Sequence, residues 1–241
     1  MSDYKVKLVR ASSITTSGGY TTWNQLDNTT AVVPGEVIAT GYKNGRTQEA
    51  VVFEVTPEFS EGRTVDYKNL DPVHAPGAIY MYATTRARTF SISGKFISRS
   101  VNEATKNLTY MQYLRSWAMP VFGTVSANAP VGENILGAPP AILLLSAYSS
   151  GPLSTTDTQT TVPGPNGTLL PALGNNIYQV PVIMTNLDIP YPSDVDYIPT
   201  VNKIPVPTVV TVTINLTEAH SPNAYGAFDL QAYKTGNLDN F

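Results

Sequence analysis

His74 and His220 are the chain's two histidines, and it has no cysteine. Acid–base or metal chemistry must therefore rest on these two side chains or on carboxylates. Disulfides, thiol nucleophiles and cysteine-based zinc sites are excluded. His74 lies near Asp66 and Asp71 in a proline-containing segment. Those are possible metal donors, but their spacing matches no ligand motif, and a loop histidine with local hydrogen bonds is the simpler reading. His220 follows Glu218 at the end of a strand-like run without a G-x-S-x-G nucleophile motif, so it reads as a turn or register residue. Asp194 and Asp196 flank Val195 and offer two carboxylates for a calcium ion or a hydrolase, or else act as solvated turn residues or partners for Lys or Arg. The full calcium-loop pattern is missing. Gly18-Gly19 lacks the following lysine and the strand–turn–helix frame of a phosphate loop. No catalytic, cofactor-binding or metal role is assigned, and a non-enzymatic protein is expected.

Composition narrows the partners. Charged residues make up 14% of the 241 positions, against roughly 25% in ordinary soluble domains. With a net charge of -3 and no cluster of Lys and Arg, the chain has no basic footprint for sequence-specific nucleic-acid binding. The N-terminal MSDYKVKLVRASS has no apolar core for a signal peptide, and no segment approaches the roughly 20 apolar residues of a membrane helix. A soluble protein kept or assembled in the cytoplasm is expected.

The element that organises the rest is the stretch 86–120, where the hydrophobic period changes. Phe90, Ile92, Gly94 and Phe96 alternate as one face of a strand. Ser100 and Glu103 then form an S-x-x-E capping box, which starts a helix at Val101 and runs it to about 119, ahead of Pro120. Ala104, Leu108, Met111, Leu114 or Arg115, and Ala118 are its expected apolar stripe. Tyr110, Tyr113 and Trp117 widen that stripe, either into the core or, with Arg115, toward a neighbouring subunit.

Elsewhere the pattern is mainly β. Residues 4–9 alternate briefly, and Asn44-Gly45 is suited to a hairpin turn. Ile79 to Tyr82 begins another strand, and AILLLSAY at 141–148 reads as a central strand buried on both faces. Pro181 marks the strand at 177–189 as an edge or a bulge. In 208–217, Val210, Val212, Ile214 and Leu216 share one face, with Thr211, Thr213, Asn215 and Thr217 opposite. The Ser/Thr/Pro/Gly-rich 149–176 is a long projecting loop. Tyr225 and Phe228 lie in a C-terminal tail expected to dock. The fold class is α+β, mainly β, an antiparallel sheet with one packed helix and long loops. Its divisions are an arm at 1–36, one domain at 37–217 with an insertion at 149–176, and a tail at 218–241.

Two stretches, SISGKFISRSVNEATKNLTYMQYLRSWAMPVFG and the pair PPAILLLSAY and VPTVVTVTINLTEAHSP, resemble tail-tube-like baseplate or tube-initiator proteins of contractile-tailed bacteriophages. Residues 92–97, 114–116, 139–148 and 209–218 carry the likeness, which spans 78–222. It implies a curved, barrel-like antiparallel sheet of tail-tube type, assembled as a ring, commonly sixfold, between tail tube and baseplate hub. It also implies neighbouring tube and hub proteins as partners, no membrane, and a lumen that passes tape measure and DNA without sequence-specific binding. Such a protein is assembled in the host cytoplasm and resides in the virion. In that setting Thr211, Thr213, Asn215 and Thr217 are candidates for the lumen wall or a solvated face, and Tyr110, Tyr113, Arg115, Trp117, Tyr225 and Phe228 for subunit contacts. The competing expectations are a β-sandwich adhesin or glycan-binding module, from the abundant Tyr, Thr and Asn, and a hydrolase using Asp194 and Asp196.

Overall fold

The computed structural model describes residues 5–10, 13–17, 20–24, 50–71, 76–120, 139–148, 162–163, 169–170, 176–220, 225–226 and 228–234. Fifteen strands and two helices occur among them. In order they are β1 (Val6–Arg10), β2 (Ser13–Ser17), β3 (Tyr20–Asn24), β4 (Ala50–Phe53), β5 (Glu58–Gly62), β6 (Val65–Leu70), β7 (Ile79–Thr85), β8 (Thr89–Ile97) and α1 (Val101–Trp117). There follow β9 (Ile142–Ala147), β10 (Val162–Pro163), β11 (Leu169–Leu170), β12 (Ile177–Asp188), β13 (Tyr197–Pro199), β14 (Pro205–Pro207), β15 (Val209–Glu218) and α2 (Leu230–Lys234). Seven strands make one antiparallel sheet in the order β4-β1-β9-β12-β15-β8-β5. The pairs β2-β3, β6-β7, β10-β11 and β13-β14 form four separate two-stranded ladders. The fold is thus mainly β with one long helix, as its periodicities require.

Alternation sets the two faces of this sheet. Val210, Val212, Ile214 and Leu216 on β15 lie opposite Phe96, Gly94, Ile92 and Phe90 on β8, and all are buried. Thr211, Thr213, Asn215 and Thr217 are half-buried on the reverse face, beside Lys95, Ser93, Ser91 and Thr89. That reverse face is polar and almost uncharged along both strands. The buried sides curl around a common core, because Phe53 of the edge strand β4 stacks on Phe96 of β8 at 5.3 Å. Those strands are five places apart in the sheet, so the sheet must bend for them to meet. Gly94 permits that approach: a Cβ there would lie 2.3 Å from the Phe53 ring.

β9 is central, with Leu143, Leu144, Leu145 and Ala147 buried between β1 and β12. Of the two readings of Pro181, the bulge stands and the edge falls. β12 lies between β9 and β15, and its register against β9 shifts between Ile177 and Val180, where Gln179 adopts φ 57°. The division at residue 36 also needs correcting. Val6–Arg10 is an interior strand of the sheet, so the domain begins there rather than at 37. The Asn44-Gly45 turn lies outside the described residues, as does 149–176 apart from β10, β11 and Asn176.

The helix starts where its cap places it. Ser100 Oγ accepts from the Glu103 N–H, while the Glu103 carboxylate accepts from the Arg99 N–H at 2.7 Å rather than from Ser100. Its buried arc, however, consists of Ala104, Asn107, Tyr110, Met111, Leu114 and Trp117. This arc is rotated by roughly 60° from the expected stripe, at 100° per residue. Leu108 is half-buried and Ala118 is exposed. Asn107 enters the core because its amide donates to the Ile97 carbonyl and to Ser98 Oγ, tying the helix to the end of β8. Tyr110 and Trp117, each 1% exposed, pack in the core of the chain, so of the two expectations for them the core reading fits and an exposed contact does not. Tyr113 is half-buried and stacks on Trp117; Arg115 is exposed and bonds the Tyr191 hydroxyl. We predict that Trp117→Ala lowers unfolding free energy by about 3–5 kcal/mol in denaturant titrations of the free chain. A loss below about 1 kcal/mol would show that Trp117 is not a core residue.

Candidate functional site: a carboxylate-pinned β arm

Strands β5 to β8 form one long ribbon with two halves in different surroundings. The near half, β5 with β8, belongs to the sheet. Among the described residues the far half, β6 with β7, pairs only with itself, and each of its residues is exposed except the half-buried Asp66. A register shift between Asp66 and Tyr67 divides its faces. Tyr67, Tyr80 and Tyr82 share one face, with Tyr67 edge-on to Tyr82 at 6.1 Å. Leu70, Ile79 and Met81 occupy the other face beside Lys68. Isolated two-stranded ribbons are marginal in water, and exposed apolar side chains on both faces are costly unless covered in use.

The arm leaves the sheet at Arg63-Thr64 on one strand and Arg86-Ala87-Arg88 on the other, and charge holds that junction. Along β15 the buried series Val210, Val212, Ile214, Leu216 ends in Glu218, and along β8 the buried series is preceded by Arg88. The two meet. Glu218 Oε1 accepts from Arg88 Nη2 at 2.8 Å and Nε at 3.1 Å, and Oε2 accepts from the Arg88 backbone N–H at 3.1 Å. Arg63 Nη2 reaches Oε2 at 3.2 Å, so the two arginines that flank the arm root share one carboxylate. His220 Nε2 lies 2.8 Å from Oε1. Arg88 Nη1 also donates to Glu61 at 3.2 Å, and its guanidinium lies 5.3 Å from the Phe90 ring centre.

The C-terminal segment closes the cluster. Tyr225 sits edge-on to His220, and the Tyr233 ring of α2 lies under Arg63 at 5.9 Å. Docking of this tail is thus seen, and it is directed at the arm root. Further out, Arg86 donates to Asp66 at 2.6 Å and its backbone N–H to the Thr64 carbonyl at 2.9 Å.

Burial by itself would raise the Glu218 carboxyl. Hydrogen bonds from His220 and Arg88, together with the Arg88 charge, outweigh it and hold the group well below the ordinary carboxylate range. Burial likewise works to lower the Arg88 guanidinium, but its hydrogen bond and charge contact with Glu218 raise it overall. Both groups therefore stay charged, and each is the other's main compensation for leaving water. This arrangement orients and pins; it offers no exposed nucleophile or open coordination position.

Of the residues marked by sequence, His220 belongs to this cluster and His74 lies outside the described residues. Asp66 is used by Arg86, and Asp71 accepts from the Asn69 amide. Asp194 and Asp196 are exposed, and no group of three His, Asp or Glu side chains that could hold a metal occurs among the described residues. Tyr225 and Phe228 are partly exposed near the arm root. Sequence reasoning missed Arg88, Arg63 and the arm itself. The detectable signal was parity: an acid ending one buried alternation and a base opening the adjacent one.

Because the Glu218 carboxyl is lowered on folding, its contribution to stability is complete above its ordinary value near 4.5 and is lost progressively as pH falls below it. We predict that Glu218→Gln lowers stability at pH 7 by about 3–5 kcal/mol, since it strands buried Arg88. The variant's stability should also fall less steeply than wild type between pH 5 and pH 2. Parallel pH profiles for the two proteins would contradict the assignment. No family model matches the sequence, and no curated protein matches it at the significance required.

Proposed function

We infer that this chain is a structural, non-enzymatic subunit of a bacteriophage tail. It forms a ring, commonly sixfold, at the junction of tail tube and baseplate hub. The observation that carries this reading is the β6-β7 arm, an extension of a sheet strand pair that exposes tyrosines on one face and aliphatic side chains on the other. A rigidly anchored arm of this kind is suited to contact another protein. The antiparallel sheet, bent so that β4 meets β8 and covered by α1, is compatible with a tail-tube-type subunit and supports the reading.

Within such a ring, the polar face carrying Thr89, Ser91, Ser93, Thr211, Thr213, Asn215 and Thr217 is suited to line a lumen. Ser, Thr and Asn side chains stay hydrated, and Lys95, the one cation on this face of β8 and β15, shares it with Glu58 of β5, so the face has no basic stripe that would hold passing DNA. Neighbouring tube and hub proteins would meet the two rims. A glycan-binding module would use the same three tyrosines as stacking platforms. The aliphatic reverse face of the arm, which a sugar does not need, favours protein contact.

We predict that electron microscopy of tails carrying a label on this chain places it coaxially at the tube-to-baseplate junction, and that the purified chain shows no glycan-array binding dependent on Tyr80. Recovery of the chain only as a monomer outside the axial tube would overturn the proposal.

A further inference from the structure

We propose that the C-terminal segment around α2 is a releasable strap that sets how firmly the β6-β7 arm is held. Docked, it secures the β6 side of the arm root through Arg63. Released, it leaves the β7 side pinned through Arg88, and the arm loosens while the sheet stays folded. The device acts within the free chain, whatever the arm meets in an assembly.

The two sides of the root are held unequally. On the β7 side, Arg88 is 3% exposed and bonds Glu218 through Nη2, Nε and its backbone N–H, and Glu61 through Nη1. The Glu218 N–H donates in return to the Arg88 carbonyl at 2.9 Å, so this side is part of the body. On the β6 side, the Arg63 side chain is 34% exposed and has a single hydrogen bond among the described residues, to Glu218 Oε2 at 3.2 Å. Its guanidinium otherwise meets the Tyr233 ring at 5.9 Å. A partly exposed charge contact is weak alone. An aromatic ring packed on the cation contributes a comparable hold, so Tyr233 decides much of how well this side is fixed.

The strap itself is lightly attached. The chain is tied to the body as far as Ala219, whose N–H donates to the Pro181 carbonyl at 2.9 Å. Beyond that point, Tyr225, Phe228 and Leu230 are exposed and Tyr233 is half-buried, and none of them belongs to the buried core. α2 has five residues, a little over one turn. Asp229 starts it, its carboxylate accepting from the Gln231 N–H at 2.8 Å and its carbonyl from the Tyr233 N–H at 2.9 Å. Phe228 packs on Tyr233 at 5.5 Å, so the turn presents this ring as a unit. A helix this short does not persist in water without outside contacts, so undocking and unwinding are one event. Segments that bury so little open at far lower cost than the core. The arm is in the same class, since its two strands pair only with each other among the described residues. Two marginal elements that meet through Arg63 and Tyr233 stabilise each other by the same factor, as linkage requires.

Amide hydrogen exchange on the full chain reads arm, strap and sheet separately. Tyr233→Ala is expected to speed exchange of the β6 and β7 amides about 2–5-fold, the size of one cation–aromatic contact, and to leave those of β8 and β15 unchanged. Tyr233→Phe, which keeps the ring, should match wild type. Reciprocally, Arg63→Gln should speed exchange across 230–234 by a similar factor. Unchanged arm exchange in Tyr233→Ala, or an arm already unprotected in wild type, would overturn the strap. Equal acceleration in arm and sheet would also overturn it, by showing that Tyr233 supports the fold as a whole.

Discussion

The carboxylate of Glu218 is the point on which the rest of the molecule's presentation depends. It stands at the end of the longest buried alternation in the sheet and receives hydrogen bonds from Arg88 and Arg63, the residues between which the β6-β7 ribbon leaves the body. An isolated charge in that position would be prohibitive, so the acid and the guanidinium must be present together. Their pairing carries more directional information than apolar contact would. The fork of Arg88 meets Oε1 through two nitrogens, and the Glu218 N–H returns a bond to the Arg88 carbonyl at 2.9 Å. Orientation at the root is thus set by several hydrogen bonds at once.

Packing distributes this constraint through the body. Glu218 continues the row from Val210 to Leu216, which faces the row from Phe90 to Phe96 on β8. Those rows meet Phe53 across the curl of the sheet, and Tyr110 sits against Phe96 from the helix side at 5.8 Å. Arm, sheet and helix are therefore connected through adjoining side chains. The helix covers one end of the core, and the docked C-terminal segment covers the charged end. A body built this way holds its arm against the tendency of a two-stranded ribbon to fray.

Much of this was legible in the residues because local signals and burial agreed. The cap at Ser100 located the helix start, the alternation in β15 assigned its two faces, and the unbroken apolar run in β9 marked a central strand. What escaped reading depended on tertiary placement. Ile79 to Tyr82 has the composition of a buried strand, and nothing local distinguishes a strand covered by its own body from one left exposed. The helix stripe was misplaced because Asn107, polar by type, is satisfied inside by Ile97 and Ser98 and so rotates the arc toward Tyr110 and Trp117. Arg88 and Glu218 are 130 residues apart, and only strand pairing brings their matched parity to light.

Spin-label distance measurement across the arm root tests the central claim most directly. Labels on Asn69→Cys at the arm and Thr213→Cys on the sheet, in an otherwise cysteine-free chain, report how sharply the arm is held. The account predicts a narrow distance distribution at neutral pH, and a clearly broadened one when Glu218→Gln is introduced under conditions where the sheet remains folded. An equally narrow distribution in the variant would contradict it.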